Sequence, residues 1–166
     1  VGLVCNAKRV GQAKKGSVEE AIESMTTLNK EASRISRKYE IHACTDVTGF
    51  GFLGHLNEMI NDEISAEIDS IAIPAIKGAL HYAEEFLLTA AAQRNRNHVA
   101  MDVEFSKNIT FAMEELLFDP QTSGGLLFAV KEEDALPFLK ELRKVGLPAA
   151  IVGHFTDKKE KNIYVR

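Results

Sequence analysis

The chain has 166 residues, of which 45% are hydrophobic and 27% are charged, and its formal net charge at pH 7 is −4. This composition is typical of one globular domain, and the negative net charge gives no support to nucleic acid or an anionic membrane as a partner. No apolar run is long enough to cross a bilayer and there are only two cysteines, so we expect a reduced, cytoplasmic protein with no membrane partner.

The first part of the chain is predicted to hold a short strand followed by one long helix. The strand is expected over residues 2–6 and a basic loop over residues 7–16. Ser17 and Glu20 are spaced as a capping box, and apolar residues at helical spacing continue from there to about Tyr39. The chain does not begin with methionine, so we expect it to be processed or truncated.

The middle of the chain alternates strands and helices. A short apolar run and a glycine-bearing turn occupy residues 42–51 and lead into a helix predicted over residues 52–61. Apolar and polar residues alternate over residues 64–68, which predicts a half-buried strand. A helix is predicted over residues 75–86, after a proline, whereas the polar stretch 89–98 is predicted to be a loop.

The last part of the chain again mixes both kinds of element. A helix over residues 109–118 is expected to stop where an Asp-Pro pair begins, because the residue before proline disfavours the α region. A strand over residues 126–130 and a helix over residues 134–145 follow. Strands over residues 149–155 and 162–165 are predicted to pair as a hairpin. We therefore predict a single domain of the mixed α/β class.

Residues 42–55 carry the most distinctive chemistry of the chain. The predicted strand ends near Asp46 and passes through Thr48 and Gly49 into a helix. The free N–H groups at a helix N-terminus favour anions, and a carboxylate beside an anion needs a cation between them. The turn therefore predicts a site in which Mg²⁺ takes oxygen ligands from Asp46 and from phosphate groups.

The same stretch also fits a dinucleotide-binding fingerprint. Gly49, Gly51 and Gly54 form a G-x-G-x-x-G pattern between a predicted strand and a helix, and Asp69 lies where a ribose-binding acid belongs. A carboxylate and a hydroxyl in the turn argue against it, because that fingerprint needs an apolar approach to the pyrophosphate. A plain packing turn between strand and helix is the third interpretation.

His42, Cys44 and Asp46 would share one face of the predicted strand, as the ligands of a transition metal would. A structural zinc site ordinarily needs four ligands with paired spacings, and there is no second cluster. The simpler interpretation is a packed cysteine beside a surface histidine.

A second notable stretch lies just before the strand at 126–130. It offers the carboxylate of Asp119, the hydroxyls of Thr122 and Ser123, and the glycine pair Gly124-Gly125. Such a loop can surround an oxyanion with backbone N–H groups. Taken alone, an ordinary helix-to-strand turn explains it equally well.

The polar stretch around Arg94 and Asn95 would suit a phosphate or a partner domain. For Arg96 and Asn97 we favour a solvated loop. Nucleophilic catalysis has no support, because Ser123 lacks a G-x-S-x-G context and Cys5 has no evident base.

Taken together, the two motifs carry a family resemblance. The segments TDVTGFGFLGH at 45–55 and DPQTSGGLL at 119–127 resemble the signature segments in the C-terminal half of the selenophosphate synthetases, or selenide, water dikinases. MTTLN at 25–29 and the Arg94-Asn95 pair also fall in matching places, so the resemblance covers essentially the whole chain. That family belongs to the aminoimidazole-ribonucleotide-synthetase-like superfamily, and it makes selenophosphate from selenide, ATP and water with Mg²⁺, releasing AMP and phosphate.

The resemblance implies a three-layer α/β/α fold of the α+β class with a mixed sheet. It implies that residues 1–166 form one domain, the C-terminal one, and that an N-terminal ATP-binding and dimerisation domain lies outside this chain. The family's essential cysteine or selenocysteine, its lysine and its glycine-rich loop belong to that other domain. We therefore expect no catalytic residue in this chain and no activity from it alone. The parent is expected to be a cytoplasmic homodimer that uses ATP and selenide.

The resemblance also assigns residues to the site. Asp46 matches the one aspartate that this domain contributes to the metal-bound ATP site. The chain departs from the family's pattern at Ala90-Ala91-Ala92, where glycines are common, so no role is assigned to that loop. The expected contacts of the nucleotide are Thr48, Gly49, Gly51, Thr122, Ser123, Gly124 and Gly125. The alternative is a non-catalytic dinucleotide-binding module that uses Gly49, Gly51 and Gly54.

Overall fold

The computed structural model describes all 166 residues, as eight α-helices and six β-strands. The helices are α1 Gly2–Arg9, α2 Lys15–Thr26, α3 Lys30–Ser36, α4 Gly51–Glu58, α5 Ala79–Glu84, α6 Ala90–Val99, α7 Phe111–Phe118 and α8 Glu132–Lys144. The strands are β1 Ile41–Asp46, β2 Ile64–Ile68, β3 Val103–Phe105, β4 Leu126–Val130, β5 Gly153–Asp157 and β6 Ile163–Val165. The longest helix, α8, has 13 residues, and none of the helices has the length and apolar character needed to cross a membrane.

Elements that the sequence delimits clearly lie where they are predicted. The strands β1, β2 and β4 occupy the predicted positions, and α7 ends at Phe118, directly before the Asp-Pro pair. The helix α8 is followed by Gly146 at φ +83°, a left-handed conformation that glycine adopts without steric cost. The helices α4 and α5 are shorter than predicted: α5 lies inside its predicted range, whereas α4 begins one residue before its range and ends three residues earlier.

The predicted N-terminal strand is wrong, because residues 2–9 form the helix α1. Its buried residues Leu3, Val4 and Ala7 lie on one helical face and pack with Tyr82 of α5 and Ala112 of α7 in one apolar cluster. A short apolar run has the same pattern in a buried strand and in a buried helix. Here residues 2–9 form a helix because their apolar face packs against the helices α2, α5 and α7.

The predicted long helix from 17 to 39 is divided into α2 and α3. The break falls at Thr27, whose ψ of 120° is extended, and no glycine or proline marks it in the sequence. The predicted capping box is also wrong: α2 begins two residues before Ser17, and the Ser17 hydroxyl instead accepts a hydrogen bond from the Tyr82 hydroxyl at 3.1 Å. Past the break, Asn29 donates to the carbonyl of Gly124 at 2.9 Å, so a tertiary contact sets the new helix direction.

The predicted loop at 89–98 is wrong as well, because residues 90–99 form the helix α6. Thr89 caps this helix by accepting a hydrogen bond from the N–H of Ala92 at 3.1 Å. A capping threonine followed by three alanines, the residue with the highest helix propensity, was the local signal. The polar residues that follow weaken the apolar periodicity by which a helix is recognised.

The strands form two sheets. β1 and β4 form an antiparallel pair, and the other strands form a mixed sheet in the order β3-β6-β2-β5. The predicted hairpin between the last two strands is therefore wrong: β2 lies between them, antiparallel to β5 and parallel to β6. The charged turn between β5 and β6 is long enough to pass over the end of β2, where the buried Ser65 donates to the carbonyl of Lys161 at 2.7 Å.

Helices cover the strands on both sides of the molecule. Alternate residues of the mixed sheet, such as Ile68 and Ile163, pack against α4, α6 and α7 in the main core. On β4, Phe128 packs with Phe138 of α8, whereas Leu127 packs on the main core. This arrangement confirms the mixed α/β class with mixed pairing of strands, although the strands belong to two sheets.

Arg96 joins α6 to α7 and is not the solvated side chain that the sequence suggested. Its guanidinium donates to Glu115 at 2.7 and 3.0 Å and to Glu114 at 2.8 Å, and it lies 4.7 Å from the ring centroid of Phe118. Burial acts to lower the pKa of Arg96, but its hydrogen bonds to the two carboxylates outweigh that effect and raise the pKa. The Glu115 side chain is 2% exposed, so its charge depends on this one cation.

We expect Arg96→Met to lower the free energy of unfolding by about 3 kcal/mol, because it leaves the buried Glu115 carboxylate without a partner. Arg94→Met is the matched control: Arg94 is exposed on the same helix and makes no ion pair, so its loss should cost less than about 0.5 kcal/mol. Urea denaturation of both variants tests this. Equal losses would contradict the assigned role of Arg96.

Candidate functional site

The antiparallel pairing of β1 with β4 brings the two sequence motifs together. Asp46, the last residue of β1, faces Leu126, the first residue of β4. Past the strand ends, the N–H of Val47 donates to the carbonyl of Gly125 at 2.9 Å, and the N–H of Gln121 donates to the carbonyl of Thr48 at 3.0 Å. The turn after β1 and the loop before β4 therefore form one surface at one end of the sheet. We call residues 46–51 and 121–125 the double loop.

Asp46 lies at this end of the sheet with its side chain exposed. It forms no ion pair with any lysine, arginine or histidine of the chain. His42 and Cys44 share its exposed face, but no group of three or more potential ligands is close enough to hold a metal ion. His42 is a surface residue, as the simpler interpretation predicts, but Cys44 is also exposed and is not the packed cysteine of that interpretation. Partial burial of the thiol, followed by the charge of Asp46, raises the pKa of Cys44.

Two glycines allow the halves of the double loop to approach each other. A Cβ on Gly124 would lie 1.9 Å from the carbonyl oxygen of Val47. Gly51 has φ +71°, and a Cβ there would lie 2.7 Å from the carbonyl oxygen of Phe118. Neither position accepts a side chain without a shift of backbone. Both glycines therefore allow close contact between backbone segments of the chain.

The double loop presents backbone donors that no protein acceptor uses. The N–H groups of residues 48–50 and 122–125 donate to no carbonyl or side chain of the chain. The side chains of Thr122 and Ser123 are exposed, and Ser123 has φ +49°, an uncommon conformation for a residue with a side chain. Unpaired N–H groups in adjacent loops are donors that an anion can accept.

Two asparagines outside the motifs hold the double loop in place. Asn95 of α6 is buried, and its amide donates to the carbonyls of Gly49 at 2.9 Å and Phe118 at 3.0 Å. Asn29, at the start of α3, donates to the carbonyl of Gly124. Both asparagines lie in segments that match the family resemblance. The sequence gave no local signal for their contacts, because each contact is made to residues distant in the chain.

His55 was also missed by the sequence analysis. It is buried on α4, with Nε2 at 3.1 Å from Oγ1 of Thr48 and Nδ1 at 3.0 Å from a carboxylate oxygen of Glu58. The ring of Phe50 covers it at a centroid distance of 5.5 Å and also stacks on the exposed His98 at 6.1 Å. The spacing of His55 and Glu58, three residues apart on one helix, was a usable signal.

Asp119, the carboxylate of the second motif, is not on the exposed surface of the double loop, although the side-chain amide of Gln121 donates to its Oδ2 at 3.3 Å. Its side chain is fully buried, and Oδ2 accepts a hydrogen bond from the N–H of Leu3 at 3.1 Å and lies 3.2 Å from the backbone nitrogen of Val1. Burial raises the pKa of Asp119, against the lowering effect of the backbone hydrogen bonds that it accepts at the start of α1. The expectation that this carboxylate belongs to an anion loop is corrected: it anchors the start of α1.

Comparison with known proteins agrees with the family resemblance of the two motifs. The family described as AIR synthase related protein, C-terminal domain, matches residues 2–166. The chain is 67% identical over 99% of its length to a selenide, water dikinase of Agathobacter rectalis, of which it covers 48%, and 42% identical over its full length to one of Desulfitobacterium hafniense, of which it also covers 48%. The chain thus spans about half the length of the curated relatives it matches.

The resemblance stated from the two motifs is confirmed by these names. A solved structure, thiamine-monophosphate kinase from Stenotrophomonas maltophilia, superposes with a TM-score of 0.51 at 14% identity and covers 99% of this chain and 47% of that protein. At that identity the superposition supports the fold alone.

We expect Gly124→Ala to separate the two halves of the double loop and to lower the free energy of unfolding by about 1–3 kcal/mol, since its Cβ overlaps the carbonyl of Val47. Gly125→Ala is the control, because a Cβ there meets no atom within 4 Å and should cost less than about 0.5 kcal/mol. Urea denaturation and the amide NMR signals of residues 47–49 check both effects. Equal stability of the two variants would contradict the close contact.

Proposed function

The chain belongs to the AIR synthase related protein, C-terminal domain family, and we propose that it is the C-terminal domain of a selenophosphate synthetase. The parent protein would make selenophosphate from selenide, ATP and water, with release of AMP and phosphate. The identities of 67% and 42% to proteins named selenide, water dikinase support this proposal. Both relatives match along essentially the whole chain, so the two motifs are not the only basis for it.

The observation that carries the proposal is the composition of the double loop. An exposed carboxylate without a cation, Asp46, stands beside two loops of unpaired backbone N–H groups. Carboxylate oxygen suits Mg²⁺, and N–H donors suit phosphate oxygens, so the residues present fit a metal–nucleotide ligand. When bound, Mg²⁺ would neutralise part of the phosphate charge.

In this proposal Asp46 is a ligand of Mg²⁺ and the remaining double-loop residues contact ATP. Thr48, Gly49 and Gly51 act from the turn after β1. Thr122, Ser123, Gly124 and Gly125 act from the loop before β4.

The rest of the ATP site would belong to another part of the parent protein. Mg²⁺ keeps several waters and needs more than one anionic partner, so a single carboxylate holds it weakly. Phosphoryl transfer also needs several charged groups placed together, and no lysine lies in residues 42–55. We therefore propose that residues 1–166 are one domain, inactive alone, of a cytoplasmic homodimeric protein whose N-terminal domain completes the site.

The dinucleotide-binding alternative finds less support in the topology. A Rossmann fingerprint lies between parallel strands, whereas β1 pairs only with β4 and does so antiparallel. The glycines are also engaged within the chain: a Cβ on Gly54 would lie 2.7 Å from the Cβ of Phe50. We therefore expect no micromolar binding of NAD or NADP in calorimetric titration. Saturable binding in that range, lost in Gly49→Val, would favour the alternative.

The proposal can be tested in a fusion protein in which this chain replaces the matching half of the Agathobacter rectalis relative. We expect the fusion protein to release AMP in the presence of selenide, ATP and Mg²⁺, and this chain alone to release none. Asp46→Asn removes one negative ligand and should lower the rate about a hundredfold or more. The thermal midpoint should not change, because the Asp46 side chain makes no contact that stabilises the fold.

Asp62→Asn is the matched control, since Asp62 is exposed and makes no ion pair elsewhere on the surface. It should leave AMP release unchanged. Near-normal turnover by Asp46→Asn, or turnover by this chain alone, would show that the site is wrongly assigned.

A further inference from the structure

Thr48, His55 and Glu58 form a hydrogen-bonded chain that leads from the double loop to the surface of α4. Nδ1 of His55 lies 3.0 Å from Oε2 of Glu58, and Nε2 lies 3.1 Å from Oγ1 of Thr48. The imidazole is almost fully buried, and Phe50 covers it on the side of the turn. The ring therefore has a partner at each nitrogen.

The chemistry of Glu58 fixes the direction of these bonds. An ionised carboxylate only accepts hydrogen bonds, so Nδ1 must carry the proton. In a neutral imidazole the other nitrogen is then bare and accepts. In this neutral form, Nε2 of His55 accepts the proton of the Thr48 hydroxyl, which has no other hydrogen-bond partner in the chain.

A hydroxyl whose proton is engaged in this way can only accept further bonds. Ionised phosphate oxygens are acceptors and find no donor in it, whereas a metal ion or a water bound to a metal presents a positive charge or a donor. Asp46, two residues earlier in the same turn, offers the same kind of oxygen ligand. Both side chains thus favour a cation.

We propose that Glu58, through the ring of His55, fixes the hydroxyl proton of Thr48, so that Thr48 faces the hydrated metal ion and does not donate to a phosphate of the nucleotide. The inference rests on the proposed function for the identity of that ligand. It assigns phosphate contacts to the backbone N–H groups of the double loop and cation contacts to the side chains of Asp46 and Thr48. His55 and Glu58 are positioning residues, since neither reaches the ligand.

The chain contains a comparison pair with the same spacing. His81 and Glu84 of α5 are also three residues apart, but their side chains are 54% and 64% exposed, they lie 3.8 Å apart, and no hydroxyl completes the set. Solvent therefore competes for both nitrogens of His81. Substitutions of His81 serve as controls for those of His55.

The direction of the proton can be measured on this chain itself. The ¹⁵N shifts of the imidazole nitrogens distinguish a protonated from a bare nitrogen. We expect His55 to be protonated at Nδ1 in the wild type and in Glu58→Gln, whose amide oxygen still accepts. In Glu58→Met, which removes the acceptor, His55 should become a mixture of tautomers. A bare Nδ1 or a protonated Nε2 in the wild type, or no change in Glu58→Met, would overturn the proposal.

The consequence for the ligand is measured in the fusion protein. Thr48→Val should raise the Mg²⁺ concentration for half-maximal AMP release about three- to tenfold, the effect of one neutral hydrogen bond. The KM for ATP at saturating Mg²⁺ should stay unchanged. Glu58→Met should shift the Mg²⁺ requirement in the same direction, Thr48→Ser should restore it, and His81→Gln should have no effect.

A raised KM for ATP with an unchanged Mg²⁺ requirement would show that Thr48 donates to phosphate, and would overturn the inference. A fusion protein that releases no AMP even without substitutions would instead count against the proposed function. In that case the ¹⁵N shifts of His55, measured on this chain alone, still test whether the hydroxyl proton of Thr48 is fixed as proposed.

Discussion

The pairing of β1 with β4 is the constraint on which the candidate site depends. These strands are separated by some eighty residues in the chain, and only their antiparallel register brings Asp46 to the first residue of β4. Past the strand ends the backbones continue in contact so closely that Gly124 has no room for a Cβ beside Val47. A carboxylate from one motif and N–H groups from the other thereby share one surface.

Helices that are distant in the sequence hold this surface in place through polar contacts. Asn95 of α6 donates to the carbonyl of Gly49 in the first motif and to that of Phe118, the residue before the second motif. Arg96, the next residue, joins the same helix to α7 through Glu114 and Glu115. Buried amides and charges are costly unless every partner is present. These contacts fix the position of the helix α6. The double loop is therefore supported by a helix that supplies no proposed ligand contact.

Three carboxylates near the motifs have different roles because their surroundings differ. Asp46 is exposed and unpaired, Asp119 is buried against the start of α1, and Glu58 holds a histidine from the helix surface. Residue type alone does not separate these roles. Solvent exposure makes the first available to a ligand, burial commits the second to the fold, and a neighbouring imidazole makes the third a positioning group.

The sequence by itself determined what depends on local chemistry: the strand into Asp46, the glycine turn, the stop of α7 before proline, and the composition of both motifs. The family resemblance also assigned residues of both motifs to one nucleotide site. Only the tertiary structure decided that residues 2–9 are helical, that β2 separates the last two strands, and that Asn95 and His55 support the site. The physical reason is that a short apolar run fits a buried strand and a buried helix equally, and a hydrogen bond between distant residues leaves no local pattern. Such choices are made by the partners that the folded chain brings into contact.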